Sequence, residues 1–291
     1  MVVLLSNFQN FAQSDLDLEK TRRITSLVND YYIENSYNKL GIPGDVFGPF
    51  TLPINQTCDW NKTIAAAKTS AQNANINLSL YSIIVVVAPF GPSDCGWRGL
   101  ASGNNLAITS KTAFSDILGG HIITHEIGHY LGTDHANFYY CGELAVTGPS
   151  CTSQEYKDPF DTMGNWSSAA GHFNAARKKS LGWLDSTQLL NVITDGRYTI
   201  TPIETNTNTL KALQINNLFI EYRQPIGFDK DLFNQGQSGV FSGALIHFPY
   251  GTVTNLIDPT VSILDFGDRF NSALVNGGIF KNPKTGDIIT V

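Results

Sequence analysis

The sequence predicts a mixed α/β domain over residues 1–190, of α+β or α/β type, built on a twisted mixed sheet. An all-β, sandwich-like domain over 191–291 is predicted to follow it. Three observations lead there. Strand-like and helix-like segments alternate through the first part of the chain. Tyr81 to Ala88 is a continuous β-branched run, as in a strand buried on both faces. After about Leu190 the texture changes to short strand-like segments separated by turns. The length of 291 residues exceeds what one compact core usually needs, which fits one large domain plus a smaller one.

Taken in order, Val2 to Asn7 reads as a first strand. Asp15 to about Tyr32 has helical spacing, with Asp15 as N-cap and Leu16, Ile24, Leu27 and Tyr31 on one face. Asp45 to Leu52 reads as a strand, Asn61 to Ala74 as an Ala-rich helix, and Gly91 to Gly103 as a loop. Asn105 to Ser110 is expected as a short edge strand, and Ile117 to Leu131 as a helix. Cys141 to Gly171 looks irregular, and His172 to Leu184 helical. Beyond Leu190 the strand-like pieces are Arg197 to Pro202, Leu210 to Ile215, Leu218 to Tyr222 and Ala244 to Phe248, with no helix signal.

Composition narrows the function classes. The chain is 15% charged with net charge -6, and Arg22-Arg23 and Arg177-Lys178-Lys179 are the basic clusters. Neither is long enough for a nucleic-acid footprint. No apolar run approaches the roughly 20 residues of a membrane span. The start, Met1-Val2-Val3-Leu4-Leu5, has no cationic region or cleavage site, so a mature form is expected. Four cysteines with no CxxC pair point to two disulfides in an extracellular protein. Three pairings are open. Proximity favours Cys141–Cys151, which leaves Cys58–Cys95; four buried thiols are the bland alternative.

The chemistry concentrates in His125-Glu126-Ile127-Gly128-His129-Tyr130-Leu131-Gly132-Thr133-Asp134-His135. Residues four apart share a helix face, so His125 and His129 can aim two imidazoles at one ion. Glu126 sits about 100° around the helix from His125, poorly placed to ligate and well placed to reach a water on the metal. Gly132 can adopt positive φ, end the helix and turn the chain so that His135 completes a three-nitrogen site. Zn²⁺ suits three imidazoles and keeps an open position for water, whereas a structural site would want a fourth protein ligand. The pattern arises by chance in roughly one chain in 10⁵. Metal-assisted hydrolysis follows, with the imidazoles binding zinc and Glu126 as general base.

This stretch resembles the extended zinc signature of the metzincin metallopeptidases. Asp161-Thr162-Met163-Gly164 resembles that clan's methionine turn, and Met163 is the only methionine besides Met1. Several segments resemble the gametolysin-like peptidases (family M11): Cys95-Gly96-Trp97, His135-Ala136, Asp161-Thr162-Met163-Gly164-Asn165, His172-Phe173-Asn174-Ala175 with Leu181-Gly182-Trp183, and Glu221-Tyr222-Arg223-Gln224-Pro225. The resemblance implies a metzincin-like catalytic domain, ligands His125, His129 and His135, base Glu126, turn residue Met163, and a protein or peptide substrate. It also implies an inhibitory pro-segment, which this sequence does not contain. Some metzincins have a tyrosine two residues after the turn methionine. Asn165 stands there, so no tyrosine ligand is expected.

In this clan the strand before the helix pairs with extended substrate, which casts Leu106, Ala107 and Ile108 as substrate-binding. Asn165, Trp166, His172 and Phe173 would border the pocket beyond the scissile bond, with His172 a substrate contact or a packed structural histidine. His121, one turn before His125, could share its face and reads as a support for the ligands or as core, and His247 reads as structural. Sequons occur at Asn55, Asn61, Asn77 and Asn165, and Asp258, Asp265 and Asp268 could hold Ca²⁺ or form a solvated loop. The competing functions are a secreted adhesion protein with a vestigial zinc site and a zinc hydrolase acting on something other than peptides. Retention of Glu126 beside all three histidines argues against the first.

Overall fold

The computed structural model describes residues 1–12, 16–90, 95–109, 116–141, 146, 151–164, 170–234, 238–259 and 269–291, the side chains of 116–120 and of 233 excepted. It is a mixed α/β structure with several sheets and few helices. Its contacts divide it into two units: Met1–Ile33 with Leu40–Leu131, and Glu34–Lys39 with Gly132–Val291.

The first unit is built on five strands: β1 (Val2–Phe8), β2 (Asp45–Leu52), β3 (Ile84–Ala88), β4 (Gly99–Ser102) and β5 (Asn105–Thr109), in the order β2-β1-β3-β5-β4. All neighbours are parallel except β4, which runs antiparallel to β5. Every residue of β3 is buried, as its unbroken Ile-Val-Val-Val-Ala run requires of a strand covered on both faces. Its α-helices among the described residues are α1 (Leu18–Asn35), α2 (Trp60–Asn73) and α3 (Asp116–Tyr130). Ile64, Ala67 and Ala71 of α2 pack on Val2, Leu4, Phe8 and Val86, the small alanines letting helix and sheet approach. Asp59 caps α2 by accepting from the Lys62 amide at 3.0 Å.

Two expectations, a buried Leu27 and an edge strand from Asn105 to Ser110, fail for physical reasons, and a third falls outside the described residues. The α1 cap expected at Asp15 lies outside the described residues, and Asp17 accepts from the Lys20 amide at 2.9 Å. The buried face of α1 is Ile24, Val28, Tyr31 and Tyr32, while Leu27 is 46% exposed. The strand at Asn105–Thr109 is not an edge. It bonds to β3 on one side and β4 on the other, and Leu106, Ala107 and Ile108 are fully buried.

The second unit contains β6 (Ala136–Tyr140), β7 (Thr152–Gln154), β8 (Leu189–Asn191), β9 (Ala212–Ile215), β10 (Leu218–Tyr222), β11 (Gly243–Tyr250), β12 (Val253–Ile257) and β13 (Leu274–Val275). They form one eight-stranded sheet ordered β7-β6-β12-β11-β10-β9-β8, with β13 also on β11. β14 (Ile279–Lys281) and β15 (Ile288–Thr290) form a separate hairpin. The large sheet takes β6 and β7 from before residue 190, and β6 pairs in parallel with β12. Strands of 191–291 are thus completed by earlier chain. Arg197 to Pro202 forms no strand. The helices are short, α4 (Ala175–Ser180) and α5 (Lys230–Asn234). The helix expected from His172 begins only after Asn174, whose side chain caps it by accepting from Arg177 N at 3.1 Å. Both disulfides are formed as proximity favoured, Cys58–Cys95 and Cys141–Cys151. No described helix is long and apolar enough to cross a membrane.

Candidate metal centre

α3 presents the signature from a buried position. Ile122, Ile123 and Ile127 anchor it, and the Tyr32 hydroxyl donates to the Thr124 carbonyl at 2.6 Å. His125 and His129, one turn apart, have ring centroids 4.9 Å apart with planes at 83°. The helix closes with Leu131 N donating to Ile127 O, and Gly132 follows at φ +88, where a Cβ would be strained. The chain beyond it is held firmly. Asp134 N donates to Thr252 O, Thr254 N donates to His135 O, and Arg177 Nη1 donates to Asp134 O at 2.7 Å.

The outcome is local to this stretch: His125, His129 and His135 each offer one ring nitrogen, and the three lie within 4.8 Å of one another. No cysteine or carboxylate belongs to the set. A trio of neutral imidazoles fits zinc, and among the described residues no fourth protein donor joins the set. His121 stands one turn earlier, its centroid 6.4 Å from that of His125, and is not in the set. His135 Nδ1 lies 2.6 Å from Glu155 Oε1. Burial pulls His135 below the ordinary imidazole value, and that hydrogen bond opposes the shift.

Glu126 is buried, and burial raises its carboxyl from 4.5 to about 8. It lies under β4. A Cβ built at Gly99 would fall 2.5 Å from Glu126 Oε1 and 2.7 Å from Ile122 Cγ2, so only glycine lets strand and carboxylate come this close. A cavity of about 250 Å³ beside β4 is lined by Ala101, Gly103, Asn104, His129 and Tyr130.

Met163 is fully buried. Its amide donates to Asp161 Oδ1 at 2.8 Å, and its carbonyl accepts from Ala136 N, the residue after His135. Asp161 Oδ2 also takes the Asn174 amide and side chain, both at 2.8 Å. Gly164 has no room for a side chain, since a Cβ there would sit 2.1 Å from the Asp158 carbonyl. Sequence reasoning missed Asp161, Asn174, Arg177 and Glu155. The first two stood inside motif segments, but nothing in their spacing signalled their partners.

His172 does not face a cleft. It is fully buried, Nε2 lies 2.7 Å from Glu34 Oε1, and Nδ1 lies 3.1 Å from Lys178 Nζ. Both ring nitrogens serve the interior, so packing rather than substrate contact accounts for it. His247 is likewise buried, against Asp158 at 3.1 Å. Asn165, Trp166, Asp265 and Asp268 lie outside the described residues.

No known family profile matches the chain, and no curated protein sequence matches it. Among solved structures it is similar to the crystal structure of archaemetzincin from Methanopyrus kandleri. The identity is 13%, the match covers 62% of this chain and 93% of that one, and the TM-score is 0.36. A likeness at that score carries no residue roles across.

Proposed function

We propose that this chain is a secreted, zinc-dependent endopeptidase of metzincin type that hydrolyses peptide bonds in extracellular proteins, with gametolysin-like enzymes as the finer placement. One observation carries the reading: three imidazole nitrogens within 4.8 Å of one another, with a buried carboxylate on the helix that bears two of them and no further donor in the cluster among the described residues. Zinc held by His125, His129 and His135 would supply Lewis acidity toward a carbonyl oxygen and toward water. Glu126 acts as general base, taking the proton of the attacking water and returning it to the departing amine. Met163, whose carbonyl accepts from the amide of Ala136, the residue after His135, supports the turn.

Substrate binding moves outward from Leu106, Ala107 and Ile108 to β4, the strand at the sheet's edge. An extended peptide adds naturally to such an edge, with Leu106–Ile108 as its backing and the cavity at Ala101 and Tyr130 alongside. Every proposed ligand and catalytic residue precedes 190, which makes 191–291 an accessory part. Two disulfides support an extracellular setting.

Glu126→Gln tests the assignment. The variant should keep stoichiometric zinc while casein cleavage falls by about 10²–10⁴-fold. Undiminished cleavage by the variant, or cleavage by the native chain that survives a chelator, would overturn it.

A further inference from the structure

We infer that Glu155 and Tyr156 are positioning residues that hold His135 in one tautomer and one orientation for the metal. The inference rests on the metal-centre reading above and adds two residues that reading leaves unused. Glu155 Oε1 lies 2.6 Å from His135 Nδ1. A carboxylate only accepts, so Nδ1 carries the hydrogen and the lone pair sits on Nε2. Ligating histidines are commonly oriented in this way by a carboxylate on the other nitrogen. The Tyr156 ring lies against the same imidazole, with centroids 3.7 Å apart and planes at 35°. One side chain therefore sets the protonation pattern and the next sets the ring plane.

The backbone gives the second line of support. Tyr156 has φ +61, a left-handed conformation that a bulky residue rarely adopts and that glycine would adopt without strain. The turn is pinned rather than loose. Tyr156 N donates to Asn137 Oδ1 at 3.2 Å, Asn137 Nδ2 donates to Ser153 Oγ at 2.8 Å, and Ser153 Oγ donates to Asn255 Oδ1. Asn137 stands two residues after His135, so the turn is built on the strand that the third ligand leads into. An exposed ion pair alone would need none of this. The left-handed aromatic is explained if its ring is what the site requires.

The test is a zinc competition titration of the full chain against a chromogenic chelator. Native chain, Glu155→Ala, Glu155→Gln and Tyr156→Gly are compared, with circular dichroism of each metal-free protein. Glu155→Ala should lose about 10–100-fold in zinc affinity. Glu155→Gln, which keeps an acceptor, should fall between Ala and native. Tyr156→Gly relieves the backbone and removes the ring, so its affinity should fall severalfold with an unchanged metal-free spectrum. Native affinity in both Glu155→Ala and Tyr156→Gly would overturn the inference while leaving the metal centre standing. A native chain that binds no zinc would instead remove the metal-centre reading itself. Cobalt substitution separates the last alternative. If Glu155→Ala shifts the visible cobalt bands rather than only raising the metal needed for saturation, Glu155 is a ligand and the positioning role is overturned.

Discussion

The two units bury very different things. Among the described residues of the first, the buried acidic, basic and histidine side chains are His121, His125 and Glu126, all on α3. The rest of that interior is aliphatic, aromatic and hydroxyl side chains, with an apolar cluster that includes Val2, Leu4, Phe8 and Val86. The described residues of the second unit bury Asp158, Asp161, His172, Arg177, Lys178, Glu204, Lys211, Glu221, Arg223, Asp229, His247 and Asp258. Fully buried Arg223 shows how. Its guanidinium meets Glu221 at 2.7 Å and Asp229 at 3.3 Å, and donates to the Phe160 and His172 carbonyls at 2.8 and 3.0 Å. Buried charge is costly unless paired and hydrogen-bonded. Around Arg223 it is both, and there it ties down irregular chain that has no ladder of its own. The same physical signal therefore has two meanings. In the first unit a buried charge marks candidate chemistry; in the second it marks scaffolding.

Perturbing each interior sharpens this contrast. Arg223→Met leaves Glu221 and Asp229 without their partner, and should cost about 3–5 kcal/mol in denaturant unfolding, enough to prevent folding of a marginal domain. Leu4→Ala in the first unit opens a cavity and should cost about 2–5 kcal/mol. A loss for Arg223→Met below that for an exposed arginine would break the comparison. Next comes pH. Burial first, then Arg223, lowers Lys178 from 10.5 to about 7, so the folded chain holds fewer protons than the unfolded one between those values, and stability rises with pH there. Burial first, then Asp229, raises Glu204 from 4.5 to about 10, so the folded chain holds more protons and stability falls as pH rises through that window. The two slopes oppose each other from about 7 to about 10. Lys178→Met should expose the falling slope and Glu204→Gln the rising one, read as midpoint against pH. Parallel profiles in the two variants would contradict the assignment. The smallest effect belongs to α2, where Asp59→Ala removes a cap and should cost about 1 kcal/mol.

Much of the first unit was legible because its rules are local. The β-branched run of β3, the alanines of α2 and the signature of α3 each carry their periodicity within a few residues. β4 was not legible. Gly99-Leu100-Ala101-Ser102 is short and only half-buried, with no alternation to read, so Asn105–Thr109 was mistaken for the edge. In the second unit the decisive pairing, β6 with β12, joins distant chain, and hydropathy contains no record of it. The helix at His172 was overestimated because its first residues are fixed by buried polar contacts, which run against an apolar-face rule. For the candidate site, the proximity of the three histidines is legible from spacing alone. Glu155 and Arg177 reach the same region through tertiary contacts that no short motif encodes.

The missing side chain at position 99 has one more consequence. The strand there leaves no slack above the carboxylate, so a single added methyl would act as a plug. Gly99→Ala should silence peptide cleavage while the histidines still take up their ion. That would give a metal-loaded form in which the proposed peptide cleavage can be compared with that of the native chain.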